Sequence, residues 1–275
     1  CGAPSRGPSV RMSLAPVLLV SVDFPPHKDG VSSVSEALAL KLAADGHPLC
    51  VIGPKSAGDA EYDRHAPFRV LRSPLYDWGY FRFVPLAFLF VYAVLKWRPR
   101  IVFAMNIAYG GVLAYALRFA GYRYYLWAYG YEFHKVKNNA FLRAFYLKIY
   151  AAARKIFVIS RFVAGRLEGF GVPTSKMQLV YPAVDPDKFK PLARLSGPAE
   201  LCRNDGDRVI LSVSRLVERK GQDQVLRALS LVLKTVPEAR YWIAGTGPMR
   251  QSLENLVKEL CLDDKVRFLG RVGDD

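Results

Sequence analysis

The chain has 275 residues, 51% of them hydrophobic, and carries a formal net charge of +15. That length is typical of about two domains, and the hydrophobic content is sufficient for each domain to have a buried core. The four cysteines lack metal-binding or redox spacing, which excludes a zinc centre and a disulfide framework and is typical of a reducing compartment. These cysteines are Cys1, Cys50, Cys202 and Cys261.

The first elements in chain order alternate between strand and helix. Residues 17–22 form an apolar run that predicts a buried strand. The following loop ends at Asp29 and Gly30, and a helix is predicted over 32–45. A second apolar run, residues 49–53, predicts the next strand. The pattern is typical of a strand–helix–strand unit with a parallel sheet.

An apolar segment over residues 83–95 has two interpretations. It is 13 residues long, with Pro85 near its start. A membrane-spanning helix needs about 20 apolar residues, so we predict a buried helix in preference to a membrane span.

The next two strands are predicted over 100–105 and 124–128. Tyr129 and Glu132 follow the second of them directly. One more strand is predicted over 155–160. The end of the 124–128 strand is therefore a candidate position for polar functional groups.

A turn with two cations stands in the second half of the chain. Residues 209–214 predict a buried strand, Arg215 and Lys220 lie in the following loop, and residues 222–234 have a helical pattern. Backbone N–H groups and the positive end of such a helix favour anions, and two side-chain cations suit a nucleotide diphosphate. The competing interpretation is a solvated basic turn.

Glycines follow the two remaining predicted strands. A strand over 239–244 is followed by Gly245 and Gly247, and one over 266–269 by Gly270. A helix is predicted between them, from about 249 to 260. Glycine permits the backbone to approach either a ligand or a neighbouring loop closely.

The order of these motifs resembles the family 4 (group 1) nucleotide-sugar glycosyltransferases. In the second half, Arg-Leu, Lys-Gly, Gly-x-Gly-Pro and Phe-Leu-Gly stand in the family's order. In the first half, the Pro-Pro pair, the glycine turn, the long helix and Gly-His match as well. The resemblance implies an α/β fold of GT-B architecture, with two Rossmann-like domains facing across a cleft. The implied bounds are an acceptor-side domain over 12–190, a linker over 191–207 and an incomplete nucleotide-sugar-binding domain over 208–275.

The resemblance implies retaining transfer of a sugar from a nucleotide-diphosphate sugar to a glycan or lipid-linked acceptor. Arg215 and Lys220 would neutralise the leaving diphosphate, so no metal cofactor is expected. The leaving diphosphate itself would take the acceptor's proton, and no protein base is required. The implied donor- and acceptor-binding residues are Gly30, Glu132, Gly245, Gly247 and Gly270.

Three positions depart from the family's pattern. Tyr129 stands where the family has histidine; its hydroxyl can bind a sugar but is a poor base at neutral pH. Asp29 stands where a second glycine is usual, which leaves the local geometry open. Glu132 either orients a substrate hydroxyl or caps a helix, and His134 either reaches the site or is an exposed loop residue.

The family's Glu-x7-Glu motif is absent from the chain. The resemblance therefore implies that the chain ends inside the second domain and is inactive as it stands. At the other end, Met12 is the expected natural start. No signal-peptide pattern is present.

The positive charge is concentrated in the first half. Residues 1–190 carry 25 Lys and Arg against 12 Asp and Glu, and residues 191–275 carry 14 against 12. Basic stretches rich in aromatic residues, 78–83 and 142–155, suit anionic lipid headgroups or lipid-linked acceptors. No nucleic-acid-binding signature is present. These observations predict a cytoplasmic protein associated peripherally with the inner face of a membrane.

Two other functions remain open at this point. A sugar-nucleotide epimerase of the same fold would need acidic and histidine catalytic groups, and the Arg and Lys-Gly pairing argues against it. A non-catalytic nucleotide-binding or membrane-adaptor protein is favoured by Tyr129 and by the missing carboxylates.

Overall fold

The computed structural model describes residues 14–27, 29–74, 83–130, 132, 136, 139–184, 186–187, 189 and 206–273. The chain divides into two compact units, Cys1–Phe189 and Lys190–Asp275. Most of the predicted linker lies outside the described residues, and its bounds stay a prediction.

The first unit is built on a parallel sheet of seven strands. In chain order the strands are β1 Val17–Val20, β2 Leu49–Pro54, β3 Arg69–Ser73, β4 Ile101–Ala104, β5 Tyr124–Ala128, β6 Lys155–Val158 and β7 Met177–Leu179. Their spatial order is β3-β2-β1-β4-β5-β6-β7, so the chain reverses its direction of progress at the β1/β4 pair. In open α/β sheets, ligands bind outside the carboxyl ends of the strands at such a reversal.

Helices cover both faces of this sheet. They are α1 Gly30–Ala44, α2 Asp59–His65, α3 Phe83–Trp97, α4 Val112–Leu117, α5 Ala140–Ala152 and α6 Arg161–Phe170. Successive strand residues point to opposite faces, so Leu18 and Val20 join the core beneath α3 to α6, whereas Val17 and Leu19 join the core beneath α1 and α2. The two helical layers therefore share one sheet and have separate hydrophobic cores.

Strands and helices with strong apolar patterns lie where the sequence predicts them. β5 has the predicted bounds, and β1 and β4 are each two residues shorter than predicted. β3, β7, α2, α4 and α5 were not predicted from the sequence. β7 is only three residues long and largely exposed, so it has no apolar run that could be recognised.

α3 corrects the prediction of a buried helix over 83–95. Leu86, Phe90, Ala93 and Val94 are buried, but the opposite side of the helix is exposed. The prediction is therefore right for one face only. No helix in the described part of the chain is both long and apolar enough to cross a membrane.

The second unit has a parallel sheet of three strands in the order β10-β9-β8. Its elements are β8 Arg208–Val213, α7 Gln222–Val232, β9 Ala239–Ala244, α8 Arg250–Glu259 and β10 Val266–Gly270. The prediction of a buried strand over 209–214 is right in position but wrong in burial, because β8 is largely exposed. Leu226 and Leu229 of α7 and Leu253 of α8 pack against Tyr241 and Ile243 of the central strand. This packing fixes the ends of the strands, where the predicted site residues lie.

Candidate functional site

The turn between β8 and α7 presents its cations to solvent. Arg215 and Lys220 are exposed, and within the described residues neither makes an ion pair with a carboxylate. Lys220 ends a short 3₁₀ turn, and Gly221 takes the left-handed conformation that starts α7. We call residues 215–220 the cation turn. Arg215, Arg219 and Lys220 against Glu218 give the turn a net charge of +2 at the positive end of an 11-residue helix, an arrangement that favours an anion.

The cation turn is held by the loop that follows β9. The Leu216 N–H donates to the Thr246 carbonyl over 2.9 Å, and the Met249 N–H donates to the Leu216 carbonyl over 3.1 Å. A Cβ on Gly245 would overlap the Ser214 carbonyl oxygen, and one on Gly247 would overlap the Leu216 carbonyl oxygen. The two glycines thus permit a close approach of loop to loop.

Gly270 takes part in the same arrangement. Its carbonyl accepts a 2.6 Å hydrogen bond from the Gly245 N–H, and its φ of +68° is a left-handed conformation. The structure therefore brings Arg215, Gly245, Gly247 and Gly270 together at one edge of the second unit's sheet. Lys220 lies at the far end of the cation turn.

Gln222 is a further residue of this turn that the sequence analysis missed. Only 3% of it is exposed, and its Nε2 donates to Ser214 Oγ over 2.9 Å and to the Arg215 carbonyl over 3.3 Å. It ties the start of α7 to the end of β8. The signal available in the sequence was a polar residue directly after Lys-Gly at a helix start.

In the first unit, the loop after β1 shows which local geometry Asp29 adopts in place of the usual second glycine. Asp29 is the N-cap of α1, and its Oδ1 accepts a 2.7 Å hydrogen bond from the Ser32 N–H. A helix N-cap prefers such a side chain because it satisfies a free N–H group. A Cβ on Gly30 would meet nothing within 4 Å, so the space in front of the predicted binding residue is open.

Three possible metal ligands surround this cap. Asp23, His27 and Asp29 each offer one ligand atom, and these atoms lie within 4.8 Å of one another. Asp29 Oδ2 is 3.7 Å from His27 Nδ1. The sequence analysis did not predict this group.

A tight turn after β4 carries a buried polar side chain. Residues Ile107–Gly111 form a single π-helical turn, and Asn106 caps it by accepting hydrogen bonds from the N–H groups of Tyr109 and Gly110. Asn106 is only 5% exposed, and its Nδ2 has no hydrogen-bond partner within the described residues. Such π-turns occur often at functional sites. The available signal was a polar residue one position after a buried strand.

Glu132 is buried beside this turn. It is 7% exposed, and its Oε1 accepts a 3.2 Å hydrogen bond from the Tyr150 hydroxyl. Its Oε2 has no partner within the described residues. Burial raises the pKa of Glu132 above its ordinary value, against the lowering effect of nearby backbone N–H groups and of Tyr150. Tyr150 and its neighbour Tyr146 come from α5 and were not predicted as site residues.

These residues meet in one cavity of the first unit. Its lining residues are Asn106, Ile107, Ala108, Tyr109, Tyr129, Glu132 and Tyr146. Burial and the charge of Glu132 both raise the pKa of Tyr146, which therefore stays a neutral hydroxyl. Within the described residues, the cavity thus presents an unpartnered amide N–H₂ of Asn106 and an unpartnered carboxyl oxygen of Glu132, the donor and acceptor that a sugar hydroxyl needs.

The structure brings two of the predicted residues of the first unit together. Tyr129 and Glu132 line the same cavity, whereas Gly30 is not among its lining residues. Gly130 has a φ of +92°, and a Cβ there would come within 3.0 Å of Val163, so the turn after β5 requires glycine. His134 lies outside the described residues.

Comparison with known proteins gives matches over both units. The family model described as Glycosyltransferase Family 4 matches residues 28–188, and the one described as Glycosyl transferases group 1 matches residues 198–275. The first match covers more than half of the chain.

Curated relatives match over almost the whole chain. The GDP-mannose-dependent alpha-(1-6)-phosphatidylinositol monomannoside mannosyltransferase of Mycolicibacterium smegmatis is 29% identical over 269 residues, which are 92% of this chain and 66% of that protein. The enzyme of the same name from Mycobacterium tuberculosis is 26% identical, over 94% of this chain and 68% of that protein. The chain therefore spans about two thirds of the length of these relatives.

Solved structures share the fold. HepE from Anabaena in complex with UDP and glucose has a TM-score of 0.72 at 15% identity, covering 95% of this chain and 70% of that one. Sucrose-phosphate synthase from Thermosynechococcus elongatus has a TM-score of 0.75 at 18% identity, covering 95% and 71%. These likenesses confirm the predicted α/β fold of the GT-B class, with a short second unit. By the family model that matches most of its first unit, the chain belongs to glycosyltransferase family 4, with a group 1 match in its second unit.

Proposed function

We propose that this chain provides the donor- and acceptor-binding parts of a retaining glycosyltransferase. The enzyme would transfer a sugar from a nucleotide-diphosphate sugar to a glycan or lipid-linked acceptor. The observation that carries the proposal is the cation turn, in which Arg215 and Lys220 are exposed at a helix start and have no carboxylate partner among the described residues.

The cation turn suits a diphosphate for an electrostatic reason. A leaving nucleoside diphosphate gains negative charge as its bond to the sugar breaks, and preorganised cations stabilise that charge most in the transition state. Arginine and lysine would supply here what a divalent metal supplies in other phosphate sites. We therefore propose that catalysis needs no metal.

The cavity of the first unit suits a hydroxyl-bearing acceptor. The free Asn106 amide can donate to a hydroxyl oxygen, and the free Glu132 oxygen can accept from its proton. The mycobacterial relatives are named for GDP-mannose and phosphatidylinositol monomannoside, which supports a nucleotide-sugar donor and a lipid-linked acceptor. The solved HepE complex contains UDP and glucose, which supports the same donor class.

The proposed reaction needs no side chain of the protein as a base. The bond from the sugar's anomeric carbon to the diphosphate oxygen breaks, the acceptor oxygen bonds to that carbon on the same face, and the acceptor's proton passes to the leaving diphosphate. Tyr129 would donate a hydrogen bond to a sugar oxygen. NMR of the glycoside formed tests the stereochemistry, since an inverted anomeric centre would contradict retention.

The nucleotide site is tested by calorimetric titration of the 275-residue chain with GDP and with UDP. At least one of them should bind, and Arg215→Ala and Lys220→Ala should each weaken that binding by about tenfold or more, because each removes a charge-assisted contact worth about 1.5–3 kcal/mol. Arg227→Ala is the matched control, since Arg227 is an exposed arginine two turns into α7. It should leave the affinity unchanged.

Other results of the titration would decide against the proposal. Equal affinities of the Lys220→Ala variant and the wild-type chain would reject the cation turn as the diphosphate site. Nucleotide binding together with a failure to transfer sugar, in a protein that contains this chain and the Glu-x7-Glu motif, would favour the non-catalytic nucleotide-binding protein.

A further inference from the structure

The outer side of α3 carries a stripe of exposed apolar residues. Phe88 is 74% exposed and Leu95 is 72% exposed, although the opposite side of the helix is packed into the core. The complete stripe is Val84, Phe88, Val91, Tyr92 and Leu95. Its spacing of three and four residues places these side chains on one face of the helix. A soluble surface rarely exposes such a contiguous patch without a use for it.

The stripe ends in a cation held over aromatic rings. Lys96 Nζ lies 5.4 Å from the ring centre of Tyr92 and 5.3 Å from that of Trp97, and it donates a 2.9 Å hydrogen bond to the Tyr92 hydroxyl. Arg98 and Arg100 follow and are exposed. Aromatic rings with a polar end and long cationic side chains suit the boundary between lipid headgroups and acyl chains.

The other helices on this side of the sheet also carry exposed aromatic side chains and cations. We call helices α3 to α6 and their connections the cationic layer. Phe119, Phe141 and Phe162 are exposed on it. From the start of α3 to the end of α6, residues 83–170 contain 13 Lys and Arg against two carboxylates, the buried Glu132 and the exposed Glu168. The cationic layer thus combines exposed phenylalanines with nearly uncompensated positive charge.

The opposite layer of the same sheet has neither property. α1 and α2 carry Glu36, Asp59, Glu61 and Asp63 within 22 helical residues. The positive charge of the first unit is therefore not spread evenly. It belongs to one of the two sides that the sheet separates.

We propose that the cationic layer binds an anionic lipid membrane, with the α3 stripe inserted among the headgroups. Apolar side chains gain from leaving water at the headgroup boundary, and each cation near an anionic surface adds attraction. The charge of the layer selects a lipid surface over an uncharged protein partner. This inference rests on the first unit alone and does not depend on the proposed nucleotide site.

The test measures co-sedimentation of the chain with vesicles. Vesicles of equal parts phosphatidylglycerol and phosphatidylcholine should bind the chain, and vesicles of phosphatidylcholine alone should bind it far more weakly. Added salt should release it, because charges separated by more than about 8 Å are screened at physiological ionic strength. Phe88→Gln and Leu95→Gln should each lower the partition coefficient by about tenfold, since each keeps an apolar side chain out of the membrane.

A matched control comes from the opposite layer. Leu40 is a leucine on α1 that is 43% exposed, so Leu40→Gln removes a comparable side chain from the side without the cationic layer. It should leave vesicle binding unchanged. Circular dichroism verifies that all variants fold, and calorimetric titration with the nucleotide should give the same affinity for all of them.

Three outcomes would overturn the proposal. The first is no binding to anionic vesicles at low salt. The second is equal loss of binding for Leu40→Gln and Leu95→Gln. The third is a wild-type dimer in sedimentation velocity that Phe88→Gln converts to a monomer, because the stripe would then be an interface between copies of this chain.

Discussion

At the scale of single residues, the cavity of the first unit is defined by polar atoms without partners. Asn106 uses its oxygen to cap the π-turn, which leaves its amide N–H₂ free within the described residues. Glu132 uses one oxygen for Tyr150, which leaves the other free. Burying such groups without partners costs stability, so a hydroxyl group or a water molecule that binds there would recover part of that cost.

Glu132→Gln tests how much stability the protein loses when the buried Glu132 carboxyl ionises. Because burial raises its pKa in the folded protein, the folded state keeps the proton at pH values where the unfolded chain has lost it. The free energy of unfolding of the wild-type chain should therefore fall as pH rises from the ordinary glutamate pKa to the raised one. Glutamine does not ionise, so the variant should gain stability relative to wild type over that window. Urea unfolding at a series of pH values measures the difference.

The control for this experiment is Glu168→Gln on α6, where the carboxylate is exposed. Its stability relative to wild type should change little over the same window. If Glu132→Gln instead lost stability relative to wild type as pH rises, the folded protein would stabilise the ionised carboxylate.

Tyr129→Phe tests whether this residue takes part in the chemistry. If the leaving diphosphate accepts the proton, the change removes one hydrogen bond, worth roughly 0.5–1.5 kcal/mol, and slows transfer by about tenfold at most. Tyr129→His should be tolerated. Rates of sugar transfer and donor affinity are measured for both variants. Abolished turnover with intact donor binding in Tyr129→Phe would assign proton transfer to the tyrosine.

At the scale of elements, two loops and a helix start build the cation turn. The β8–α7 loop and the β9–α8 loop exchange backbone hydrogen bonds, and Gln222 ties the helix start to the same place. Arg215 and Lys220 are flexible side chains, but the backbone that carries them is fixed by its neighbours. A preorganised backbone limits the ordering that an anion must impose when it binds.

Gly247→Ala should disrupt this pairing of loops. The new Cβ would overlap the Leu216 carbonyl oxygen, so the Leu216–Thr246 hydrogen bond must lengthen or break. We expect a loss of about 1–3 kcal/mol of stability in the second unit, the usual cost of overpacking. Nucleotide affinity should fall with it. Urea unfolding and calorimetric titration measure the two effects.

Gly169→Ala on α6 is the control for that substitution. A Cβ there meets nothing within 4 Å, and alanine is the better helix former, so stability should be unchanged or rise by about 0.5–1 kcal/mol. Unaltered stability and affinity in Gly247→Ala would show that the loops adjust without cost and that their pairing does not hold the cation turn.

At the scale of the whole molecule, both units place their polar groups at the carboxyl ends of parallel strands. In the first unit these are the ends of β4 and β5, and in the second the ends of β8 and β9. The cationic layer lies along the helices of the first unit. The cavity is formed by residues of the cationic layer, whereas the cation turn belongs to the second unit, so substitutions in the cation turn should leave the cavity and the cationic layer intact.

Removal of divalent cations tests the proposed metal-free chemistry. Because Arg215 and Lys220 would carry the charge opposite the diphosphate, EDTA should leave the affinity for the nucleotide unchanged. Calorimetric titrations with and without the chelator are compared. A large loss of affinity in EDTA would indicate a metal in the donor site and would contradict the metal-free proposal.

The sequence by itself determined the strongly apolar elements and the motifs that follow them. Buried strands such as β5 and β9 are short apolar runs, and their period and length are visible without any knowledge of the neighbours. Arg215, Lys220 and the three glycines of the second unit are close in sequence to strand ends. The order of the parallel strands then places Arg215 and the three glycines at a common edge, so local patterns were enough to predict that these four residues lie close together, whereas Lys220 lies at the far end of the cation turn.

Only the tertiary structure decided which side chains meet and which face water. Asn106, Glu132 and Tyr146 come from three separate segments, and their cavity forms because β4 and β5 are neighbours beneath α5. The apolar pattern of α3 has no polar face, so it could not reveal which side the sheet covers. Hydrophobic periodicity shows which residues are apolar. The burial of each residue depends on the elements that pack against it, and that packing is set by contacts distant in sequence.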